Sequence, residues 1–513
     1  MAKRQARYQP WEIRDFSAGQ VEKLNDNILP DNAAHECRNF ISSRFGGLSK
    51  RNGQEKLNTA PLPATIQGLH PYYFPSSDTR YLIAMSQGLG FLWNGSEFTA
   101  LSFDGASSAI GEASFPLIGT SLWAETMFDH PMSIFPLNPS EPTLFADSVN
   151  YLIGMNGVNA PWKWDGSVIT TLTNAPTKGR YPVLHKEKLF CVDTDDPSTL
   201  VWSESFDPED WPAINYWDVT KGDGDEVTAL IKFVDDLLVF KNRSLHALKG
   251  TSLDDFSMQE ISSYVGCVGP RAVTVHDLKV YFVSEYGLYV SNGMNVLNIS
   301  EMVIPDTWES VNKEYLHRAA VTTWDDMIWI SVPTGVSTVN NLVLLYDPKK
   351  QSFWPMDTIG ASCYSYYNDG TGDGVRLYAG SPSAGYVNIQ DEGTEDNGVA
   401  IDAYWRGKFF DMGTPEIEKK SRKVFVQDSP DTAEVADVSV CLDYESSGGS
   451  YVYNNLTFAR TDGLTREYLF DIDENRWRYI SPMITHDSTG ACEIRGVVIP
   501  YKPKRDLGVR TLE

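Results

Sequence analysis

Clusters of carboxylates are the residues of this chain that could perform acid–base chemistry. Two carboxylates a few ångströms apart are what a glycosidase needs, and Asp223 with Asp225 could also contribute to a calcium site. The chain has 68 acidic residues, however, and the clusters lie in turn sequences such as Thr220-Lys-Gly-Asp-Gly-Asp-Glu226. Solvated turns are therefore the favoured interpretation. The clusters are Asp193, Asp195 and Asp196; Asp223, Asp225 and Glu226; and Asp471, Asp473 and Glu474.

Other catalytic and metal-binding patterns are absent from the sequence. It contains no His-Glu-x-x-His, no Gly-x-Ser-x-Gly and no phosphate-binding Gly-x-x-x-x-Gly-Lys. The six cysteines are far apart, with no Cys-x-x-Cys pair, so we expect buried free thiols rather than zinc ligands or a disulfide framework. The sequence thus predicts a protein that is not an enzyme, with no catalytic residue, no metal site and no cofactor.

The charge balance is strongly acidic. Lys and Arg number 43, the formal net charge is −25, and the isoelectric point is near 4.7. A protein that grips DNA phosphates over a wide surface would need the opposite sign. The basic start is followed by Pro10 and Trp11 rather than an apolar run, and no stretch of eighteen apolar residues occurs. We therefore expect neither a secretory signal nor a membrane span.

The elements that would position any such residue are short strands. Runs of four to seven β-branched, aromatic or aliphatic residues alternate with Gly, Asn and Asp turns, which predicts an all-β protein. Between about residues 60 and 395 a strand ending in an Asn-Gly or Asp-Gly turn recurs, as at Asn94-Gly95, Asp165-Gly166 and Asn292-Gly293. One such unit is too small to bury its apolar face and leaves its strand edges unpaired. Repetition of the unit around an axis in a β-propeller of about six blades would bury the faces and protect the edges. The intervals are irregular, so stacked sandwiches are the alternative.

The remaining sequence divides the chain into three parts. We predict an extended N-terminal strap over residues 1–58, a propeller over 59–397 and a C-terminal antiparallel β-sandwich over 398–513, where longer runs alternate apolar and polar residues. An insertion at about 104–148 is either an interaction element or a poorly ordered insert. One short surface helix is predicted over residues 306–318.

Several turn-and-strand segments along the chain form a recognisable series. They are Asp15-Phe-Ser-Ala-Gly-Gln20, the glycine-rich turn within 37–53, Trp202-Ser-Glu-Ser-Phe-Asp-Pro-Glu-Asp-Trp211, the strand 233–242, Tyr264-Val-Gly-Cys-Val-Gly-Pro-Arg271, the strand 283–293 and Glu493-Ile-Arg-Gly-Val-Val-Ile-Pro-Tyr-Lys-Pro-Lys504. Together they resemble the tail nozzle, or packaged-DNA stabilisation, proteins of short-tailed bacteriophages. The resemblance covers nearly the whole chain, although the 104–148 insertion has no counterpart.

The resemblance implies a structural virion protein. Such a chain would be made in the host cytoplasm and built into the tail as a homohexameric ring that extends the DNA conduit. It would retain packaged genome and pass it on at ejection. Its partners would be the adaptor or head-completion ring above, a tail fibre, tailspike or needle protein, and double-stranded DNA that passes without sequence-specific binding. An acidic wall would let DNA slide, although acidity can equally serve solubility alone.

A further expectation concerns basic residues. Arg38, Arg44, Lys50 and Arg51 form a basic cluster in the sequence, which we predict to contact a neighbouring subunit or the adaptor; a solvated face is the alternative.

The rival function is a glycan-binding or glycan-cleaving propeller. In it, tryptophans would stack on sugars, although core packing is their more common role. Those tryptophans are Trp162, Trp164, Trp202 and Trp211.

Overall fold

The protein is described by a computed structural model that is built almost entirely of β-strands. The described residues are 8–22, 28–74, 79–103, 137–148, 150–368, 370, 374–429, 436–444, 460–461, 466–471 and 476–504. Within them lie seven mainly antiparallel sheets that form the blades of a propeller, and two further sheets that form a sandwich. The all-β propeller with a C-terminal sandwich is thus confirmed, and the described blades number seven rather than about six.

In blades 1 to 6 the four antiparallel strands run from the inner to the outer strand in chain order. Blade 1 has Ile66–Phe74, Thr79–Ser86, Leu89–Trp93 and Phe98–Ala100; blade 2 has Leu144–Asp147, Leu152–Met155, Trp162–Trp164 and Val168–Thr171, with Ser102–Phe103 added in parallel; blade 3 has Gly179–His185, Lys188–Asp193, Asp196–Trp202 and Tyr216–Asp218. Blade 4 has Val227–Phe233, Asp236–Lys241, Leu245–Lys249 and Ser257–Ser262; blade 5 has Val273–His276, Lys279–Ser284, Gly287–Ser291 and Val296–Asn298; blade 6 has Ala320–Trp324, Met327–Val332, Leu342–Asp347 and Ser352–Asp357.

Blade 7 closes the ring with a strand from the other end of the chain. Cys363–Tyr367, Arg376–Gly380 and Val387–Gln390 are followed outward by Gln54–Lys56, and the hairpin Glu395–Asp396 with Val399–Ala400 continues this sheet. The inner strand of each blade contacts that of the next, and the inner strand of blade 7 contacts that of blade 1. Strand Gln54–Lys56, which lies in the segment predicted as a strap, therefore completes the last blade of the propeller.

The predicted turns are present where the sequence placed them. Gly95, Gly166 and Gly293 have φ of +99°, +96° and +85°, a region that disfavours residues with a Cβ atom. In each case the preceding Asn or Asp accepts hydrogen bonds from two backbone amides of the turn, as Asn94 Oδ1 does from Ser96 and Glu97 at 2.9 Å. The turn between the third and fourth strands is thus built the same way in blades 1, 2 and 5.

The sandwich is made from both ends of the chain. One sheet contains Gln9–Ile13, Phe40–Ser42, Leu48–Lys50, Lys419–Ser421, Lys423–Asp428, Arg460–Thr461, Arg466–Asp471, Arg476–Trp477 and Glu493–Pro503; the other contains Ala34–Arg38, Ala403–Gly407, Asp437–Leu442 and Ile480–His486. Residues 1–58 are therefore not a separate strap, because their described strands complete the sandwich sheets and the last blade. Backbone donors and acceptors of these strands find their partners hundreds of residues away.

One hydrophobic core joins the sandwich to the propeller. Phe16, which is fully buried, meets Trp405 of the sandwich edge-on at 5.1 Å between ring centroids. The same cluster includes Trp329, Leu345 and Trp354 of blade 6. The sandwich is thus fused to the rim of the propeller beside blade 6 rather than set apart from it.

Two predicted elements differ from the structure. The segment 306–318 is not one helix: Pro305–Glu309 is α-helical, Lys313–Arg318 is a 3₁₀ helix, and Val311 between them pairs with Thr334. Residues 104–136 of the predicted insertion lie outside the described residues. Its end is no insertion, because Leu144–Asp147 forms the inner strand of blade 2. Five of the six cysteines are buried and free, whereas Cys441 is partly exposed.

Candidate functional site

Residues of all seven blades, on or beside their inner strands, line a cavity on the propeller axis. Its volume is about 290 Å³, and each blade contributes at least one lining side chain, such as Leu69 of blade 1 and Leu230 of blade 4. The wall combines apolar side chains with polar ones, among them Thr143 and Thr322. The cavity is positioned by the first strands of the blades, which meet at the axis because every blade begins there.

Arg271 crosses one end of this axial cavity. It follows Gly269 and Pro270, directly before the inner strand of blade 5, and its guanidinium donates hydrogen bonds to backbone carbonyls of three other blades. Nη1 donates to Ser362 at 3.1 Å, and Nη2 donates to Thr143 at 3.1 Å and to Gln67. Burial lowers the pKa of Arg271, because the charged form loses hydration. A single side chain thus links blades 5, 7, 2 and 1 across the axis.

His70 is the second basic side chain on the cavity wall. Its Nε2 lies 2.6 Å from Oδ1 of Asp147, and its ring stacks on Phe145 at 5.2 Å between centroids. The imidazole is therefore oriented by a carboxylate of the neighbouring blade. Arg271 has no such partner, since no described carboxylate lies within ion-pair distance of it.

The four predicted basic residues do not form one surface cluster. Arg51 is 3% exposed and its Nη2 lies 2.5 Å from Oδ2 of Asp396, while Lys50 is 5% exposed and donates to the carbonyl of Ser488 at 2.7 Å. Neither a solvated face nor a free contact surface describes these two residues. Alternation along the strand explains the burial of Lys50, because it shares the inward direction of Leu48.

Arg38 and Arg44 remain at the surface. Arg38 pairs with Asp357 at 3.2 Å and Asp402 at 2.8 Å, so it ties the sandwich strand to the end of blade 6. Arg44 is exposed in the hairpin between Phe40–Ser42 and Leu48–Lys50. A contact with another subunit stays a prediction, and within this set it now concerns Arg44 most directly.

Asn39 and Arg51 organise the junction between the N-terminal strands, blade 6 and the sandwich. Asn39 Oδ1 accepts from Arg51 Nε at 2.9 Å and from the amide of Asp357 at 3.1 Å, while its Nδ2 donates to the carbonyl of Asp402 at 2.7 Å. Asn39 has φ of +57°, which Asn tolerates better than most residues. Sequence reasoning missed Asn39; its position between two strand-forming runs was the available signal.

The carboxylate clusters are held by protein groups. Asp223 contacts Lys241 Nζ at 2.8 Å, and Asp225 accepts from the amides of Asn242 and Arg243 at 3.3 and 2.9 Å. Asp196 pairs with Lys221 at 2.5 Å. Residues 472–475 of the third cluster lie outside the described residues. Among those described, no group of three or more His, Cys, Asp or Glu side chains could hold a metal ion.

The tryptophans that a glycan-binding or glycan-cleaving propeller would use are packed in the protein interior. Trp162, Trp164 and Trp202 are almost completely buried, and Trp211 is partly buried with its Nε1 donating to the carbonyl of Pro208 at 2.7 Å. The first three rings pack between neighbouring blades, where a sugar in solvent does not reach them. Sequence reasoning missed Arg271 as well, although an arginine directly after Gly-Pro between two predicted strands was visible.

No protein-family model matches the chain, and no curated protein matches it. Similar solved structures include the WD40 domain of Neurospora crassa Pan2, with 9% identity, a TM-score of 0.38 and coverage of 66% of this chain and 95% of that domain. BBS1N in complex with ARL6DN has 10% identity and a TM-score of 0.41, with coverage of 66% and 97%.

A third similar structure is the extracellular domain of the two component system protein BT4673 from B. thetaiotaomicron. It has 9% identity and a TM-score of 0.45, and the match covers 75% of this chain and 48% of that one. This chain therefore spans about half the length of that protein. Similarities at these identities and TM-scores carry no information on function. Within the described part of the chain, no helix has the length and apolar character that a membrane crossing requires.

Proposed function

We propose that this chain is a structural virion protein, a tail nozzle subunit that forms a six-membered ring and extends the DNA conduit of a short-tailed bacteriophage. The sequence resemblance supplies the proposal. The observation that best supports it is the continuous core that joins the propeller to the sandwich. A wall that retains packaged DNA has to carry load without bending between its domains, and a shared core with shared sheets resists such bending.

In this proposal the conduit lies between copies of the chain rather than along the propeller axis. The axial cavity of about 290 Å³ has the volume of roughly ten water molecules, and Arg271 crosses it. A DNA duplex, whose major groove alone is about 12 Å wide, does not fit there. The lumen would therefore be lined by the outer surface of each subunit. With a charge of −25 per copy, that wall would repel phosphates and let DNA slide.

Ring assembly would cover exposed apolar side chains. The outer strand of blade 5 and the turns beside it carry Tyr286, Met294, Leu297 and Met302, each more than half exposed. We define these four residues as the blade 5 rim. An outer strand also has unpaired backbone groups, so it is a natural edge for contact with a second copy. The adaptor ring above and a fibre, tailspike or needle protein below would complete the partners.

The test is electron cryomicroscopy of particles that contain this chain, with the chain traced in the density. The proposal expects a six-fold ring below the head, with DNA or an open channel on the ring axis and a neighbouring copy on the blade 5 rim. Particles assembled without the chain should be filled heads that lose their DNA. A chain located on the periphery of the particle, or heads that retain and inject DNA without it, would contradict the proposal.

A further inference from the structure

The guanidinium of Arg271 is the charged group on the cavity wall that lacks an opposite charge beside it. The other basic group there, His70, has Asp147 at 2.6 Å. Arg271 instead contacts carbonyl oxygens, which carry only partial negative charge. The Arg271 side chain is partly buried, and a charge that loses hydration in this way is normally paired with an opposite charge.

Arg271 also has hydrogen-bonding capacity to spare. An arginine side chain has five N–H donors. Three of them are engaged by the carbonyls of Ser362, Thr143 and Gln67. One N–H of Nη1 and the N–H of Nε have no hydrogen-bond partner among the described residues. These two donors belong to a cation on the wall of a cavity of about 290 Å³.

The cavity of about 290 Å³ has room for a small anion beside Arg271. Apolar side chains such as Val273 and Val321 line part of the space, and beside them an ion pair is less screened than in bulk water. The hydroxyl of Thr322 lies on the wall, although Tyr366 is already hydrogen-bonded to it at 2.5 Å. Arginine and an oxyanion form charge-assisted hydrogen bonds, which are stronger than those between neutral groups.

We propose that the axial cavity binds one small oxyanion, of the size of inorganic phosphate, at Arg271. The anion supplies the charge that the carbonyls lack and takes the free N–H donors. The bound anion thereby fixes the position of the Arg271 side chain, which links blades 5, 7, 2 and 1, and it stabilises the closed propeller. The inference does not depend on the conduit role, since it concerns the inside of one chain.

Calorimetry of the full-length protein with inorganic phosphate tests this inference. We expect one phosphate bound per chain in isothermal titration. The unfolding temperature should rise by roughly 1 °C for each tenfold increase in phosphate above its dissociation constant, as linkage requires of a ligand that binds only the folded state. Sodium chloride at equal ionic strength should give no such rise, because screening alone is not site binding.

Two variants separate the axial site from surface charge. Arg271→Met should abolish the phosphate effect. Arg318→Met is the matched control: it removes an exposed guanidinium that also donates to a carbonyl, that of Thr338 at 2.9 Å, and should leave the effect unchanged. A phosphate effect that persists in Arg271→Met, or that disappears in Arg318→Met, would overturn the inference.

A crystallographic measurement keeps the test decisive even if Arg271→Met fails to fold. Wild-type crystals soaked in selenate should show an anomalous peak within hydrogen-bonding distance of the Arg271 guanidinium. An occupied selenate elsewhere with none at Arg271, or a wild-type protein that binds no phosphate in titration, would exclude an axial oxyanion site. The readouts are binding and density, so failure of the conduit proposal would not alter either result.

Discussion

The ammonium group of Lys241 lies 2.8 Å from the carboxylate of Asp223, and the lysine side chain is 0% exposed while the aspartate is 37% exposed. Lys241 ends the second strand of blade 4, and Asp223 lies in the Gly-Asp-Gly-Asp turn that precedes that blade. The lysine Nζ also donates to Thr220 Oγ1 at 3.1 Å. A residue that the sequence offered as a calcium ligand is thus held by a cation of the protein itself.

The first prediction is that Asp223→Asn destabilises the protein more than removal of a surface carboxylate. The change leaves a buried ammonium without its partner. We expect a loss of about 1–3 kcal/mol at pH 7, allowing for the solvent around Asp223. Urea denaturation measures it. Asp326→Asn is the control, because Asp326 and Lys349 are both largely exposed and their pair should contribute little.

The Asp223 pair also predicts a loss of stability in acid. Burial raises the pKa of Asp223, but hydrogen bonds from Lys241, the Asp225 amide and Thr220 hold it at about 2. The folded pKa is therefore below the unfolded value of 3.8. The contribution is present above pH 4 and is lost as the pH falls towards 2. An Asp223→Asn protein with the same acid dependence as wild type would contradict this assignment.

The second prediction concerns His185, which is 1% exposed and packs against Phe190. Both ring nitrogens lack a hydrogen-bond partner among the described residues. Burial lowers the pKa of His185 to about 4, with Lys186 and Lys232 acting in the same direction and Asp235 against it. Folding then requires the neutral ring. Its contribution is complete above pH 6.5 and is lost as the pH falls towards 4.

His185→Leu should remove this part of the pH dependence. Wild type should lose about 2 kcal/mol of unfolding free energy between pH 7.5 and pH 5 from this residue, and the variant should not. The difference between the two proteins isolates His185, since other groups such as His246 titrate in both. Denaturation at the two pH values gives the measurement. Equal losses in wild type and variant would show that His185 is solvated or paired.

The third prediction compares two of the basic N-terminal residues: Arg51, which is buried at the junction with blade 6, and Arg44, which is exposed. Arg51→Met should lower the free energy of unfolding by about 3–5 kcal/mol. The change leaves the Asp396 carboxylate, whose side chain is 12% exposed, without its partner. Arg44→Met should leave the stability of the single chain unchanged. Chemical denaturation of both variants checks this. A stable Arg51→Met protein would mean that the buried pair contributes little.

The fourth prediction is that the N-terminal strands are required for folding. A chain without residues 1–58 loses the outer strand of blade 7 and four strands of the sandwich, so we expect no cooperative unfolding transition. A finer variant is Gly53→Ala, whose Cβ would lie 1.9 Å from the Glu395 carbonyl oxygen. Glu55→Ala, at an exposed position of the strand that begins directly after Gly53, is the control. Hydrogen exchange on blade 7 distinguishes local from global loss.

The fifth prediction follows from the proposed ring. Leu297 is 64% exposed on the outer strand of blade 5, so Leu297→Lys should not affect folding of the single chain. In a ring that covers the blade 5 rim, it would bury an unpaired charge and prevent assembly. Sedimentation and particle assembly measure the effect. Normal rings with Leu297→Lys would place the subunit contact elsewhere.

The amino-acid sequence by itself determined the class of fold and the local chemistry of its turns. Alternating apolar runs and Asn-Gly or Asp-Gly pairs such as Asn94-Gly95 require strands and tight turns, because backbone sterics and side-chain periodicity act over a few residues. The burial of Trp162 and Trp164 follows from the same local pattern. The prediction of a single helix over 306–318 is wrong because Val311 forms an isolated bridge with Thr334, a contact that no local signal records.

Only the tertiary structure decided how many blades close the ring and what the N-terminal segment does. The outer strand of blade 7 comes from Gln54–Lys56 and pairs with Val387–Gln390, more than three hundred residues away. Lys50 and Arg51 are adjacent in sequence, yet each is buried by a different distant partner. Arg271 acquires its role only when four blades meet at the axis. Local propensity carries no information on such pairings, because register and partner are set by the hydrogen bonds and packing of the assembled sheets.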